Sequence, residues 1–389
     1  MARFLMPILR EGGITMKLTV QQPHLAHGLS LVSRAVATRS TLPVLANVLL
    51  ATDEGRLRLS ATNLELGISC WIPAQIAEDG ALTVPARTLS DMVSVFPTEA
   101  IALSLKGGTT LTLHCGSSQA EIRGISADEF PPMPAADSAD GLVFKAAELK
   151  EMIQQVVFAA STDENRPVLQ GVLVEVAEGE VTFAATDGFR ISVRKMALDT
   201  PASQPLRLIV PARALNELAR ILSDGEQTVT MLTPPGRGQV IFRQREVELV
   251  SQLIEGNFPD YKVIIPRAAK THAVLSTSAF AKACRQAEII AREGNNVVRL
   301  NLQPRTDAPG QVEVSAQSEQ TGATQVSLDA NIDGPGLLIA FNVRFLREVL
   351  DVIKTPSFAL EMNANNAPVT IRPIGDESFI HVLMPMHLG

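Results

Sequence analysis

The sequence predicts an α+β chain made of three tandem copies of one module, each with two helices and an antiparallel sheet. Two observations carry this reading. First, Leu42-Pro43-Val44-Leu45 leads to Thr62-Asn63-Leu64-Glu65, and Arg166-Pro167-Val168-Leu169 leads to Thr186-Asp187-Gly188-Phe189-Arg190. Pro43 and Thr62 recur as Pro167 and Thr186, both 124 positions further on, so no insertion separates the copies over this span. Second, Val84-Pro85-Ala86-Arg87 recurs 126 positions later as Val210-Pro211-Ala212-Arg213, and more weakly 131 positions after that as Phe341-Asn342-Val343-Arg344. A period this long belongs to tandem globular domains rather than to a stacked solenoid. The expected domains are 16–138, 139–268 and 269–389, each large enough to bury its own core. Residues 1–15 read as a disordered N-terminal extension, because Met16-Lys17-Leu18-Thr19-Val20 looks like a natural strand-forming start.

Each element follows from local pattern. In the first copy, 17–20 reads as a strand and 22–36 as a helix, with Leu25, Leu29, Val32 and Ala35 near a 3.6-residue period. Residues 44–50, 57–61 and 65–72 read as strands around the turn Asp53-Glu54-Gly55. Pro85 opens a second helix, where its missing N–H costs nothing, and Leu89, Met92, Val93 and Phe96 mark the buried face. A hairpin of 109–114 and 119–125 follows, then a Pro- and Ala-rich linker from Phe130 to Asp137. The second copy reads as strand 141–144, helix 146–159, strands 168–174, 180–184 and 190–197, helix 211–222, and strands 228–233, 239–243 and 246–252. It closes on Asn257-Phe258-Pro259-Asp260-Tyr261, an echo of Glu129-Phe130-Pro131. The third reads as strand 273–275, helix 278–291, strands 297–302, 311–315 and 324–331, helix 341–353, and a final strand pair.

The formal net charge of −7 gives no global support for polyanion binding, which would need basic residues gathered on one face. Three scattered cysteines, Cys70, Cys115 and Cys284, suggest neither a disulfide framework nor zinc and fit a reduced cytosol. No apolar run is long enough to span a membrane. The six histidines lack metal-ligand spacing, and there is no phosphate-binding glycine loop or nucleophile elbow, so no cofactor, metal or catalysis is expected. Thr186-Asp187-Gly188-Phe189-Arg190 reads either as a site or as a turn in which Asp caps and Gly supplies a positive φ. Its counterpart in the first copy lacks the Gly and the Arg. Arg34, Arg87, Lys150, Arg213, Arg220, Lys282, Arg285, Arg344 and Arg347 fall on predicted helices, while many acids fall in turns and strands. Solvated helix faces would explain this plainly, yet Arg87, Arg213 and Arg344 keep register across copies that have otherwise diverged.

The threefold repeat, Thr41-Leu42-Pro43-Val44-Leu45, both Val-Pro-Ala-Arg segments, Ala185 to Arg190, Asn257 to Tyr261 and the terminal Val382-Leu383-Met384-Pro385-Met386-His387-Leu388 together resemble the bacterial sliding clamp, the β subunit of DNA polymerase III. The resemblance covers about residues 16 to 388. It implies the DNA clamp fold: a head-to-tail homodimeric ring of three-domain crescents, with helices lining a central hole around double-stranded DNA. It further implies a non-catalytic, cytoplasmic processivity subunit that tethers the replicative polymerase. Phosphate contacts carry no sequence information, so such a ring would be held by topology and free to slide. Carried over by position, the DNA face includes Arg39, Arg87, Arg166 and Arg213, and the helix argument adds Lys150, Arg220 and Arg344.

The resemblance also implies one pocket per subunit, between the second and third domains, for short peptide motifs of polymerases, the clamp loader and repair factors. Its walls would be Leu169, Thr186, Gly188, Phe189, Arg190, Ile191, Pro259 and Ile264, with Asn342, Phe345, Val382, Leu383, Met384, Pro385, Met386 and Leu388. Gly188 would let a peptide approach the backbone, and the methionines would give an adaptable apolar lining. His387 stands where an Arg is common, Val263 where some relatives have a basic residue, and the first 15 residues have no counterpart. Two other readings compete. One is an enzyme with its active site in the cleft between the second and third domains, using Asp187 and Arg190. The other is a monomeric scaffold with no DNA role.

Overall fold

The computed structural model describes residues 15–134, 141–199, 204–223 and 225–387. Residues 1–14 of the expected N-terminal extension, and Leu388, lie outside them. The first copy runs β1 (Lys17–Gln21), α1 (Gln22–Val32), β2 (Asn47–Asp53), β3 (Arg56–Thr62), β4 (Leu66–Glu78), β5 (Ala81–Pro85), α2 (Ala86–Val95), β6 (Ala100–Lys106), β7 (Thr110–Cys115) and β8 (Ser118–Arg123). The second runs β9 (Leu142–Lys145), α3 (Ala146–Val156), β10 (Gly171–Ala177), β11 (Glu180–Thr186), β12 (Arg190–Ala197), β13 (Leu206–Pro211), α4 (Ala212–Ile221), β14 (Thr228–Leu232), β15 (Gln239–Gln244) and β16 (Val247–Gln252). The third runs β17 (Thr271–Ser276), α5 (Thr277–Ala291), β18 (Val297–Gln303), β19 (Gly310–Ser318), β20 (Gly322–Asp333), β21 (Leu337–Asn342), α6 (Val343–Leu350), β22 (Ser357–Met362), β23 (Val369–Pro373) and β24 (Phe379–Leu383). Element for element, the three sequences of secondary structure are the same.

Several elements differ from the sequence reading, each for a local reason. The strands expected from 44 and 168 begin only at Asn47 and Gly171, because Pro43 and Pro167 open a short 3₁₀ turn first. Pro85 and Pro211 do not start the second helices; each is the last residue of a strand and the N-cap of the helix that follows. That strand, β5 or β13, is absent from the sequence reading, as are β6 and β21. The first helix stops at Val32 and tightens into a 3₁₀ turn, Ser33–Ala35. The helix expected over 341–353 is Val343–Leu350: Asn342 caps its start by accepting the Arg344 N–H at 3.0 Å, and Asp351 caps its end.

The described residues form two compact units. One comprises those up to Leu142 together with Thr228–Gln252; the other comprises Val143–Gln227 and the residues from Leu253 onward. In the first unit the strands of the first copy follow the antiparallel order β8-β7-β6-β1-β4-β3-β2-β5. The third copy has the same order in the second unit, β24-β23-β22-β17-β20-β19-β18-β21. The second copy is divided. Its β16-β15-β14 continue the first sheet from β4, with Leu66 opposite Ser251 and Cys70 opposite Val247. Its β13-β10-β11-β12 meet β24 in the second sheet, with Arg190 opposite Leu383 and Arg194 opposite Phe379. Both joints therefore pair the fourth strand of one copy with the eighth strand of the next.

Packing repeats as well. The helices pair as α1 with α2, α3 with α4 and α5 with α6, and the first of each pair lies on the fourth strand of its copy, β4, β12 or β20. Alternation places Val298, Leu300 and Leu302 of β18 and Val312 and Val314 of β19 in the core, with the intervening side chains outward. Phe280 of α5 and Phe358 of β22 close the third core with ring centroids 5.4 Å apart.

Candidate functional site

The segment between β11 and β12 is a turn closed by its own side chains. The Thr186 hydroxyl donates to the Arg190 carbonyl at 2.7 Å and accepts the Gly188 N–H at 3.1 Å. Asp187 Oδ1 accepts the N–H groups of Phe189 and Arg190 at 2.9 and 3.1 Å. Gly188 sits at φ +94°, and Arg166 Nη1 donates to the Asp187 carbonyl at 3.1 Å. The first copy builds the same turn from Thr62 and Asn63, whose Oδ1 accepts from Glu65 and Leu66 at 3.1 and 2.8 Å.

This turn positions Phe189, whose side chain is 60% exposed. Its carbonyl accepts the Met384 N–H at 2.9 Å, which extends the β12–β24 ladder by one step beyond Leu383. Two residues on, the Met386 N–H donates to the Ala340 carbonyl of β21 at 2.8 Å. Met384-Pro385-Met386 is thereby laid down between a strand of the second copy and a strand of the third. Beneath it, Ile191 and Val382 pair across the joint and belong to one buried cluster with Phe258 and Tyr261. Those two residues anchor the stretch that carries exposed Pro259 and Ile264.

The residues expected in the pocket thus fall into two groups. Gly188, Phe189, Pro259, Ile264 and Met384 are exposed, and Leu169, Asn342, Phe345, Pro385 and Met386 are half-buried. Thr186, Arg190, Ile191, Val382 and Leu383 are buried and form the backing. Leu388 lies outside the described residues. The surface group is mainly apolar. A separate concavity of about 520 Å³ in this unit is lined by Glu175, Arg207, Tyr261 and Lys262 among others. There Glu175 is already paired with Arg207 at 2.6 Å and Lys262 at 3.3 Å.

No reactive arrangement emerges from the polar groups here. Asp187 is occupied by two backbone N–H groups and by Arg190 Nε at 3.1 Å. The Ser192 hydroxyl and His381 Nδ1 lie 2.7 Å apart across the joint, but both residues are fully buried. Burial, with a lesser contribution from Arg190, pushes the His381 imidazole down to about 3, so it is neutral. Its Nε2 has no hydrogen-bond partner among the described residues, and its ring stacks on Phe158 at 5.5 Å. A Ser–His pair sealed in this way cannot meet a substrate. No group of three or more His, Cys, Asp or Glu among the described residues could hold a metal ion.

The basic residues are positioned by the repeat. Arg87, Arg213 and Arg344 are each the second residue of α2, α4 and α6, all exposed, and none of the three helices has an acid in its first turn. A cation there opposes the helix macrodipole, which favours anions at the N-terminus. Arg87 has only a loose pair with Asp91 at 3.7 Å. Arg220 is paired with Glu217 at 2.8 Å, and Arg166 Nε with Asp163 Oδ2 at 2.9 Å. Asp163 is held below the usual carboxylate range, first by the Asn165 N–H and then by Arg166. Arg39 is exposed in the loop before β2, and Lys150 is half-buried on α3. By contrast Arg285 and Arg347, read in the sequence as part of the same basic face, are tied to Asp351 and Glu288 between α5 and α6.

Comparison with known proteins gives a consistent result over the whole chain. Residues 16–134, 144–260 and 262–387 match the family models of the N-terminal, central and C-terminal domains of the DNA polymerase III beta subunit. The beta sliding clamp of Synechococcus elongatus is 37% identical over 96% of this chain and 100% of its own length. That of Bacillus subtilis is 29% identical over 95% of this chain and 99% of its own. The crystal structure of the Bacillus subtilis DNA polymerase sliding clamp superposes with a TM-score of 0.91 at 28% identity, covering 96% of this chain and all of that one. A Pseudomonas aeruginosa sliding clamp bound to griselimycin gives 0.89 at 28% identity, over 97% of this chain and all of that one.

Proposed function

Because this chain belongs to the family of bacterial beta sliding clamps, the beta subunits of DNA polymerase III, we propose that two copies close head to tail around double-stranded DNA and tether the replicative polymerase there. The role is non-catalytic and is played in the cytoplasm. The three modules are 16–138, 139–268 and 269–389, giving six in the ring.

The joint between copies carries this reading. The chain twice pairs a fourth strand with an eighth strand, β4 with β16 and β12 with β24. Among the described residues one strand of each kind remains open: β8 bonds only β7, and β20 bonds β19 from Gly322 to Ala330 and β17 only at its end. Open strand edges are templates for pairing, and proteins cover them. A second copy laying its β8 on β20, and the reverse, repeats a joint already made twice and leaves neither edge exposed.

Arg39, Arg87, Lys150, Arg166, Arg213, Arg220 and Arg344 face the duplex and bind phosphates without reading bases. For Arg87, Arg213 and Arg344, placement against the macrodipole at three helix N-termini supports this, since an anion there offsets the cost. The apolar group around Phe189 and Met384 takes short peptide motifs of polymerases, the clamp loader and repair factors. Griselimycin is bound by the Pseudomonas aeruginosa clamp, and we assign its place on this chain to that apolar group, which makes it the probe of the site. No observation favours the enzyme reading. Light scattering after gel filtration at micromolar concentration tests the ring: twice the 41.7 kDa chain mass supports it, and a monomer sinks it.

A further inference from the structure

Arg190 is the one charged residue among the proposed pocket walls, yet its side chain is 7% exposed, so an incoming ligand does not meet its charge directly. Its guanidinium is engaged on every side. Nε bonds Asp187 Oδ2 at 3.1 Å, Nη2 donates to the Phe158 carbonyl at 2.7 Å, and Nη1 is ion-paired with Glu348. The flat face of the group lies 4.2 Å from the centroid of the Phe345 ring and 5.3 Å from that of Phe158. Phe345 and Glu348 stand three residues apart on α6, a spacing that puts them on one helix face. One turn of the third copy therefore presents a ring and a carboxylate that together grip an arginine supplied by β12 of the second.

We propose that Glu348 is a positioning residue for the partner pocket: by fixing Arg190 it sets the Phe345 ring and the Asp187-Gly188-Phe189 turn. This rests on the pocket assignment of the preceding section. Asp187 alone is a poor anchor, because its Oδ1 is already shared between two backbone N–H groups. Without the charge at 348, Arg190 keeps one carboxylate on the turn and loses the one on the helix. The ring stacked on it is then no longer held at a fixed height beside Phe189 and Met384. Among the described residues the clasp is the charged pair that joins these two elements of the pocket, so removing it is felt in ligand binding more than in global stability.

The test uses the full chain with griselimycin as the titrant in calorimetry. Glu348→Gln keeps the shape and an acceptor for Nη1, and is compared with Arg190→Met and with the double variant. Griselimycin binding is expected to weaken about tenfold in Glu348→Gln, with native mass unchanged. In the Arg190→Met background the same change should have no further effect, because Glu348 acts through Arg190. A purely structural role would instead lower affinity by the same factor in both backgrounds, and that result overturns the proposal. So does undiminished binding by Glu348→Gln. If the wild-type chain binds no griselimycin, the pocket reading falls and this inference with it; if it binds, and Met384→Ala weakens binding, the pocket stands and Glu348 is judged on its own result.

Discussion

Leu64 and Gly188 hold the same place in the same side-chain-closed turn, at φ +78° and +94°. A non-glycine residue there costs about 1–2 kcal/mol, which the first copy bears with a leucine that is 51% exposed. In the second copy a Cβ at 188 would lie 3.3 Å from Arg166 Nη1, the atom that holds the Asp187 carbonyl. Gly188→Ala should therefore lower unfolding free energy by about 1 kcal/mol and weaken griselimycin binding. Leu64→Gly should leave both within about 1 kcal/mol of wild type. Denaturant unfolding and calorimetry check the pair, and an equal loss of griselimycin binding in the two variants would contradict the assignment of the site to the second copy.

Met384 lies on the surface of the joint, bonded through its N–H to Phe189. Met384→Ala combined with Leu388→Ala should abolish peptide and griselimycin binding while the native mass stays that of a dimer. Retained micromolar binding would remove the pocket from this face.

Arg87, Arg213 and Arg344 share one helical position and have no acid beside them in the first turn. Changing any one to Gln should weaken duplex binding equally for all sequences. Each phosphate left unneutralised should reduce the slope of log affinity against log salt by about 0.9. Fluorescence anisotropy over a salt series measures this; an unchanged slope in the triple variant would assign these residues to plain solvation.

His381 gives the β12–β24 joint a pH dependence. Its imidazole is pushed down to about 3 in the fold, chiefly by burial, against 6.5 for a free histidine. Below pH 6.5 the unfolded chain takes up a proton that the folded chain refuses until about pH 3. Its contribution is thus fully present above 6.5 and is lost as pH falls, by up to about 1.4 kcal/mol per pH unit. His381→Gln should flatten the fall of the urea midpoint between about pH 6.5 and 5. Parallel curves for the two proteins would show that another group sets the slope.

The repeat and the two helices of each module are legible in the sequence because they rest on register and on 3.6-residue periodicity, which survive divergence. Strands such as Ala81–Pro85 are not, because they are short, end on the proline that caps the next helix, and so read as part of its approach. The apolar stripe around Met384 can be placed only through resemblance, since Met-Pro-Met at a strand end also reads as core. The resemblance puts Arg190 in the pocket wall, but its burial under Phe345 depends on a helix about 150 residues away in sequence, and no local pattern reports that. Glu348 leaves no signal of its own beyond its three-residue spacing from Phe345.

A closed ring would hold DNA by enclosure. The chain, loaded by its cognate clamp loader onto a nicked circular duplex, should stay bound through a high-salt gel filtration and be released when the circle is cut once. Retention after linearisation, or loss from the intact circle, would contradict a closed ring around DNA.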